Sequence, residues 1–295
     1  MMRVCLTISI FVFLLSCRSA ATRHELEYGG RAREYLVIPV EQPRSMIFVL
    51  HGGGGKAAHM IRLAEGLPEI AKQRHILLVY PQGIDKGWND GRDTKISTAI
   101  SENVDDAGFL DSLALKLAAD YKIPEDKIFI TGISNGGMMS QRLACESRAF
   151  RAIASVAANL QESFAPKCKP SAPISTLFIL GTEDPLVPYG GGDISLFKKT
   201  RGRVLSADAT LQFWRSHNQC NADSVKTDIP DAVKDNTSAT AETWSCGNAR
   251  VRLIRVLGGG HTWPGGLQYL PEVVVGRTSR DFSASEEIVR FFLGD

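Results

Sequence analysis

The sequence predicts an α/β protein, a mostly parallel central sheet flanked by helices, and three observations carry that reading. Short runs rich in Val, Ile, Leu and Phe recur along the chain with segments of helical period between them, the alternation that builds a parallel sheet under helical layers. Several of these runs lead directly into glycine-containing loops, as strands do where the chain turns sharply off a sheet. A content of 44% apolar and 22% charged residues over 295 positions is that of a chain able to bury one substantial core, not of a disordered one.

The chain opens on a leader. Arg3 precedes an apolar stretch over 4–15, too short to span a bilayer as a mature helix, and small residues follow at Ser16, Ser19, Ala20 and Ala21. This predicts a signal peptide over 1–16 and an exported, secreted or periplasmic protein. Leu14-Leu15-Ser16-Cys17 also has the form of a bacterial lipobox, where cleavage precedes a Cys that is then lipidated. The alternative is an ordinary signal cleaved near Ala20, with Cys17 lost. A Cys at that offset favours lipidation, with attachment to a membrane through Cys17 and residues 17–30 as a tether. Residues 31–295 read as a single domain. No later segment has the 18 uninterrupted apolar residues of a membrane helix.

Within the domain the runs over 35–40, 46–50 and 76–80 read as strands, the last closed by Pro81. The stretch 104–121 has helical period, with Phe109, Leu110, Leu113, Leu117 and Tyr121 on one face. A strand is expected over 127–131, a helix over 136–145, and strands over 152–157 and 176–180. Ser206 caps a helix over 207–216, and a further strand covers 251–256. Ser283 and Glu286 have the spacing of a capping box for a closing helix, whose apolar face is Ile288, Val289, Phe291 and Phe292. The polar, weakly patterned segment 223–248 reads as a surface excursion or a hairpin around Trp244. Asn236-Thr237-Ser238 fits a glycosylation acceptor, a tripeptide common by chance.

A formal net charge of +2 gives no electrostatic reason to expect nucleic acid as a partner. Of the six Cys, Cys5 and Cys17 fall in the leader, leaving Cys145, Cys168, Cys220 and Cys246. An even number in an exported chain points to disulfides, and four Cys allow three connectivities. We favour the sequential pairs, Cys145 with Cys168 and Cys220 with Cys246, each closing a loop worth about 3 kcal/mol in the chain-entropy account. No C-x-x-C pair exists, so a zinc site is disfavoured and no metal is expected; nor does the serine chemistry read from the motifs that follow need a cofactor.

Four constellations carry chemistry. Gly132-Ile133-Ser134-Asn135-Gly136 lies between an expected strand and an expected helix, the setting of a nucleophile elbow. There a tight turn exposes the Ser134 hydroxyl and aims the Asn135 N–H, at a helix start, toward a developing oxyanion. A G-x-S-x-G pentapeptide alone is weak evidence and could be a plain turn; its setting strengthens it. His51-Gly52-Gly53-Gly54-Gly55 follows the strand over 46–50 and has the form of the loop that supplies a second oxyanion N–H, with Gly53 the first choice and Gly54 the second. Gly55-Lys56 is followed by Ala57 and lacks the upstream glycine of a phosphate-binding loop. Among the six His only His261, within Gly258–Gly260 and Gly265–Gly266, follows both nucleophile and acid in the chain order Ser, Asp, His. Asp184, after the strand over 176–180, is the acid that would fix its tautomer, with Glu183 the alternative and a simple turn Asp before Pro185 the bland reading.

Taken together these motifs resemble the bacterial polyhydroxybutyrate depolymerase and feruloyl esterase family of α/β-hydrolases. The resemblance extends through Tyr80-Pro81-Gln82-Gly83, Trp88-Asn89, Asp105-Asp106, Gly108-Phe109-Leu110, Met138-Met139, Leu143-Ala144-Cys145, Pro188-Tyr189, Asn218 and Cys220, nearly the whole mature chain. It implies an α/β-hydrolase fold, a triad of Ser134, Asp184 and His261, and a small or oligomeric ester as substrate. It further implies that Trp88, Asn89, Tyr189 and Trp263 line the substrate cleft, although each of those aromatics would serve equally as a packing residue. Family members that attack insoluble polyester usually carry added polymer-binding domains, and no such extension follows the closing helix. Soluble oligomers, or feruloyl and acetyl esters of polysaccharide, are therefore the expected substrates. Two rival readings are a serine peptidase of related fold, which would often bear a lid or an added domain, and an inactive ligand-binding lipoprotein, which would not need all three triad members.

Overall fold

The computed structural model describes residues 21–196 and 199–295, so the expected signal peptide and Cys17 lie outside the described residues. In chain order the elements are β1 (Thr22–Tyr28), β2 (Arg31–Ile38), β3 (Ser45–Leu50), α1 (Ala57–Leu63), α2 (Leu67–Gln73), β4 (Ile76–Pro81), α3 (Thr98–Ser101), α4 (Asp106–Tyr121), β5 (Ile128–Ile133), α5 (Asn135–Glu146), β6 (Ala152–Val156), β7 (Ser175–Gly181), β8 (Gly192–Leu196), β9 (Lys199–Val204), α6 (Ala207–His217), β10 (Ser224–Ile229), β11 (Ser238–Cys246), β12 (Ala249–Leu257), α7 (Glu272–Val275) and α8 (Ala284–Leu293). Ten strands form one sheet in the order β1-β2-β4-β3-β5-β6-β7-β12-β11-β10, and β8 pairs with β9 as a separate hairpin. Strands β4, β3, β5, β6, β7 and β12 run parallel, and antiparallel strands flank them on both sides.

The parallel centre is covered on both faces, which is why β3, β4 and β5 are apolar at nearly every position and wholly buried. Side chains alternate between two cores. Phe48, Val79 and Ile130 face one core with Phe109, Leu113 and Leu117 of α4 and Trp214 of α6. Ile47, Leu78 and Phe129 face the other with Met60 of α1, Ala71 of α2 and Ile288 and Phe292 of α8. Helix ends follow local chemistry: the side chains of Ser206, Asp105 and Ser283 accept from backbone N–H groups three residues on.

One expectation needs correction, and one open alternative is decided. Of the expected tether over 17–30, the described part is not loose: Thr22–Tyr28 pairs along its length with β2, and His24 stacks on Tyr35 with ring centroids 5.4 Å apart. The segment is polar because it is an edge strand with exposed sides, not because it is unfolded. Of the two readings of the segment over 223–248, the structure takes the hairpin and not the surface excursion. Strands β10 and β11 extend the sheet beyond β12 as a hairpin, and Trp244 is buried beneath the Arg215 guanidinium, 4.5 Å from the ring centre. Disulfides join Cys145 to Cys168 and Cys220 to Cys246, across sequence separations of 23 and 26. Among the described residues no helix is long and apolar enough to cross a membrane.

Candidate active site

The site assembles at the carboxyl ends of β3, β5, β7 and β12, the side of an open parallel sheet where loops gather around a ligand. Between β5 and α5 the chain turns through Ser134 at φ 57° and ψ −123°, a conformation that costs a non-glycine residue strain and that functional sites retain. The turn closes only because its neighbours lack side chains. A Cβ on Gly132 would lie 2.5 Å from the Gly136 carbonyl carbon, and one on Gly136 would lie 2.6 Å from the Leu50 and His51 oxygens. The Ser134 N–H is anchored to the Val156 carbonyl at 2.9 Å, leaving the hydroxyl side facing a cavity.

The loop after β3 supplies the facing wall. His51 is buried, its Nδ1 against the Gly52 carbonyl (2.8 Å) and its Nε2 accepting the Gly83 N–H (3.0 Å), so the neutral ring pins two loops together. Burial pushes its pKa down to about 4. Gly54 donates its N–H to Lys86 and Gly55 to Gly52, whereas the Gly53 N–H has no partner among the described residues. Of the two candidate oxyanion donors, Gly54 is thus engaged elsewhere and Gly53 is not. The Asn135 N–H is equally unengaged as the first N–H of α5, and the Asn135 side chain is locked: Oδ1 accepts from Trp88 N–H (2.8 Å) and Nδ2 donates to Asp90 (2.6 Å).

The expected acid and base, Asp184 and His261, meet across the β7 and β12 loops. His261 Nδ1 and Asp184 Oδ2 are 2.7 Å apart, both residues buried. The other carboxylate oxygen, Oδ1, accepts from the Leu186 and Val187 N–H groups at 2.8 Å each. Asp184 is thus an acceptor throughout, and His261 presents Nε2 to the cavity. Glu183 is exposed and pairs with Arg277 at 3.1 Å, away from the imidazole. Tyr269 steadies the base loop by donating to the His261 carbonyl at 3.0 Å. Ser134 and His261 line one cavity of about 410 Å³ without a hydrogen bond between them, a contact that commonly tightens only with substrate bound. A wider hollow of about 650 Å³ beside Ile38, Glu69 and Lys72 holds no nucleophile or base of this set.

The four residues expected to line the cleft do not line it. Trp88 and Trp263 are fully buried, with Nε1 donating to the His51 carbonyl (2.9 Å) and to Ser285 Oγ (3.1 Å) respectively, so both indoles are pillars behind the loops. Asn89 is buried and donates to the Val104 carbonyl at 3.0 Å. Tyr189 accepts from Arg255 Nε at 2.7 Å on the sheet side. In their place stand residues to which the sequence reading gave no role in the cleft: Met138, Leu186, Ile194, Leu270, Arg92 and Arg201 among others. Only Tyr269 and Leu270, apolar residues just after the glycine-rich histidine loop, carried a readable signal; Arg201 lies in a run of basic residues that looks like plain surface.

No family model matches the chain. Over 94% of its length it is 32% identical to a putative esterase, NocK, from Nocardia uniformis subsp. tsuyamanensis, covering 83% of that protein. The chain belongs to the feruloyl esterase and polyhydroxybutyrate depolymerase-like family. As a member of that family it is a carboxylic ester hydrolase. Feruloyl esterase C of Emericella nidulans is 30% identical over 171 residues, 54% of this chain and 58% of that protein, so the chain spans little more than half the length of that relative. In fold, an acetyl xylan esterase from Aspergillus awamori superposes with a TM-score of 0.56 at 12% identity, over 82% of this chain and 94% of that one. Esterase PE8 superposes with a TM-score of 0.50 at 16% identity, over 77% of this chain and 90% of that one. These likenesses bear out the α/β-hydrolase fold.

Proposed function

We propose that this esterase works through an acyl-enzyme on Ser134. Asp184 accepts the Nδ1–H of His261, which leaves Nε2 free to take the Ser134 proton as the hydroxyl oxygen attacks the ester carbonyl carbon. The N–H groups of Gly53 and Asn135 hold the tetrahedral oxyanion. Collapse breaks the ester C–O bond, and His261 returns the proton to the departing alcohol. Water then adds to the acyl carbonyl, giving its proton to His261, and Ser134 leaves with that proton as the carboxylic acid forms. The observation that carries this reading is the buried 2.7 Å pair of His261 and Asp184 opening on the same cavity as a strained Ser134. No cofactor takes part in these steps.

The substrates we propose are soluble: feruloyl or acetyl esters of polysaccharide, or hydroxyalkanoate oligomers. The largely apolar cavity supports them, as do the names of the relatives. We also propose export, supported by the leader pattern and by two disulfides, with Cys17 lipidated and holding the domain at a membrane. Mass spectrometry of the mature N-terminus decides the last point: an acylated Cys17 supports it, and a free terminus near Ala20 refutes it. For the chemistry, Ser134→Ala should lower kcat on p-nitrophenyl acetate by about 10⁴ or more and abolish labelling by a fluorophosphonate. Labelling that survives the substitution would overturn the assignment. Hydrolysis of methyl ferulate, acetylated xylan and 3-hydroxybutyrate oligomers by the wild type ranks the substrates.

A further inference from the structure

The cleft has an unbalanced charge. No Asp or Glu is among the described residues lining it, yet three arginines are: Arg62, Arg92 and Arg201. Arg92 is already spoken for. Its Nε donates to both carboxylate oxygens of buried Asp90, at 3.0 and 2.8 Å, and its Nη1 to the Arg201 carbonyl at 2.7 Å, so it forms a neutral, fixed brace. Arg62 stands exposed on the rim.

Arg201 differs from both. It is half-buried on β9, in the hairpin whose other strand brings apolar Ile194 and Leu196 to the same cavity. Among the described residues no carboxylate lies within ion-pair distance of it, although its neighbour Arg203 engages both Glu162 and Asp193. Its Nε is sealed from solvent with no hydrogen-bond partner among the described residues. A guanidinium donor in that state has lost its water without gaining an acceptor, which is unfavourable until an anion arrives. The backbone under it is held in place, because the Arg201 carbonyl is the acceptor for the Arg92 brace. A planar fork at a fixed position beside an apolar cavity matches a carboxylate.

We propose that Arg201 is a specificity-determining residue, and that this esterase prefers esters carrying a carboxylate a few bonds from the scissile carbonyl. The apolar wall takes the chain between the two groups, and Arg201 takes the anion. This rests on the cleft at Ser134 being the esterase site.

The test compares wild type, Arg201→Gln and Arg201→Lys, with thermal melts to verify folding. One substrate pair varies the acyl side: mono-p-nitrophenyl adipate against its methyl-capped diester. A second varies the alcohol side: 4-acetoxybenzoate against its methyl ester. The readout is the ratio of kcat/KM for the charged over the neutral partner. In at least one pair Arg201→Gln should lower that ratio about tenfold, the scale of one charge-assisted hydrogen bond, and Arg201→Lys should recover part of it. The wild-type ratio in that pair should also fall as salt is raised. Ratios that Arg201→Gln leaves unchanged in both pairs would overturn the proposal. Ser134→Ala separates the two readings: if hydrolysis of both neutral esters persists in that variant, the site itself is misassigned and this proposal falls with it. If hydrolysis is lost but the ratios ignore Arg201, only the preference is refuted.

Discussion

At the scale of single residues, neighbours one position apart have opposite fates. Asp184 holds three short hydrogen bonds at the end of β7, one of them to His261, while Glu183 points outward to Arg277. Asp184→Asn should therefore cut kcat by about 10³–10⁴, because an amide in that position cannot hold the imidazole in the tautomer that accepts the serine proton. Glu183→Gln should change kcat by less than about threefold, and steady-state kinetics on p-nitrophenyl acetate compares the two directly. His51 shows a different dependence. Its folded pKa is lowered, to about 4, whereas an unfolded chain titrates near 6.5. The unfolded state thus binds the proton more readily, and the stability His51 contributes above pH 6.5 is lost as the pH falls from there toward 4, levelling off below. The full effect is about 3 kcal/mol. Thermal melts across that window should fall more steeply for wild type than for His51→Gln.

At the scale of elements, what could be read in advance follows a physical rule. Strands such as β3, β5 and β7 sit between two helical layers, so they appear as continuous apolar runs, and their ends and the loops that leave them carry glycines, such as Gly55, Gly132 and Gly181, at which a Cβ would lie within 3 Å of backbone atoms. The residues proposed as the triad, Ser134, Asp184 and His261, sit in loops of this kind, so their placement was legible for that reason. Strand β1 was not, since its inward side carries only Leu26 and Tyr28, half-buried at its end, while Arg23, Glu25 and Glu27 between them read as plain polar chain. Nor were the roles of Trp88 and Trp263: their motifs place the backbone beside the site, but the direction of an indole is decided by the His51 carbonyl and the Ser285 hydroxyl, contacts made across the fold. The hairpin of β10 and β11 gains support from the disulfide between Cys220 and Cys246. Replacing both cysteines by serine should lower the melting temperature by roughly 10 °C, from about 3 kcal/mol of lost loop constraint. Turnover at 25 °C should stay intact, because neither sulfur lies in the cleft; differential scanning calorimetry and a rate assay check the two halves.

At the scale of the whole molecule, the ten strands found in a row among the described residues end in two margins, β1 and β10, and among those residues each margin leaves a ladder of unpaired backbone groups of the kind onto which another chain can add. Both margins are almost entirely solvent-facing and carry alternating charge: Arg23, Glu25 and Glu27 on one, Lys226 and Asp228 on the other. A strand arriving from a second molecule would have to bring its own side chains against those charges and strip their water. The margins therefore act as gatekeepers against edge-to-edge growth. Lys226→Val with Asp228→Val would join exposed Val225 into an uncharged, β-prone run, and light scattering at raised concentration should then show assembly that the wild type lacks. The polar character that hides both edge strands from a pattern search is the same property that would oppose edge-to-edge association, so resistance to such growth would be set at the two ends of the sheet and not near β5 and Ser134 at its middle.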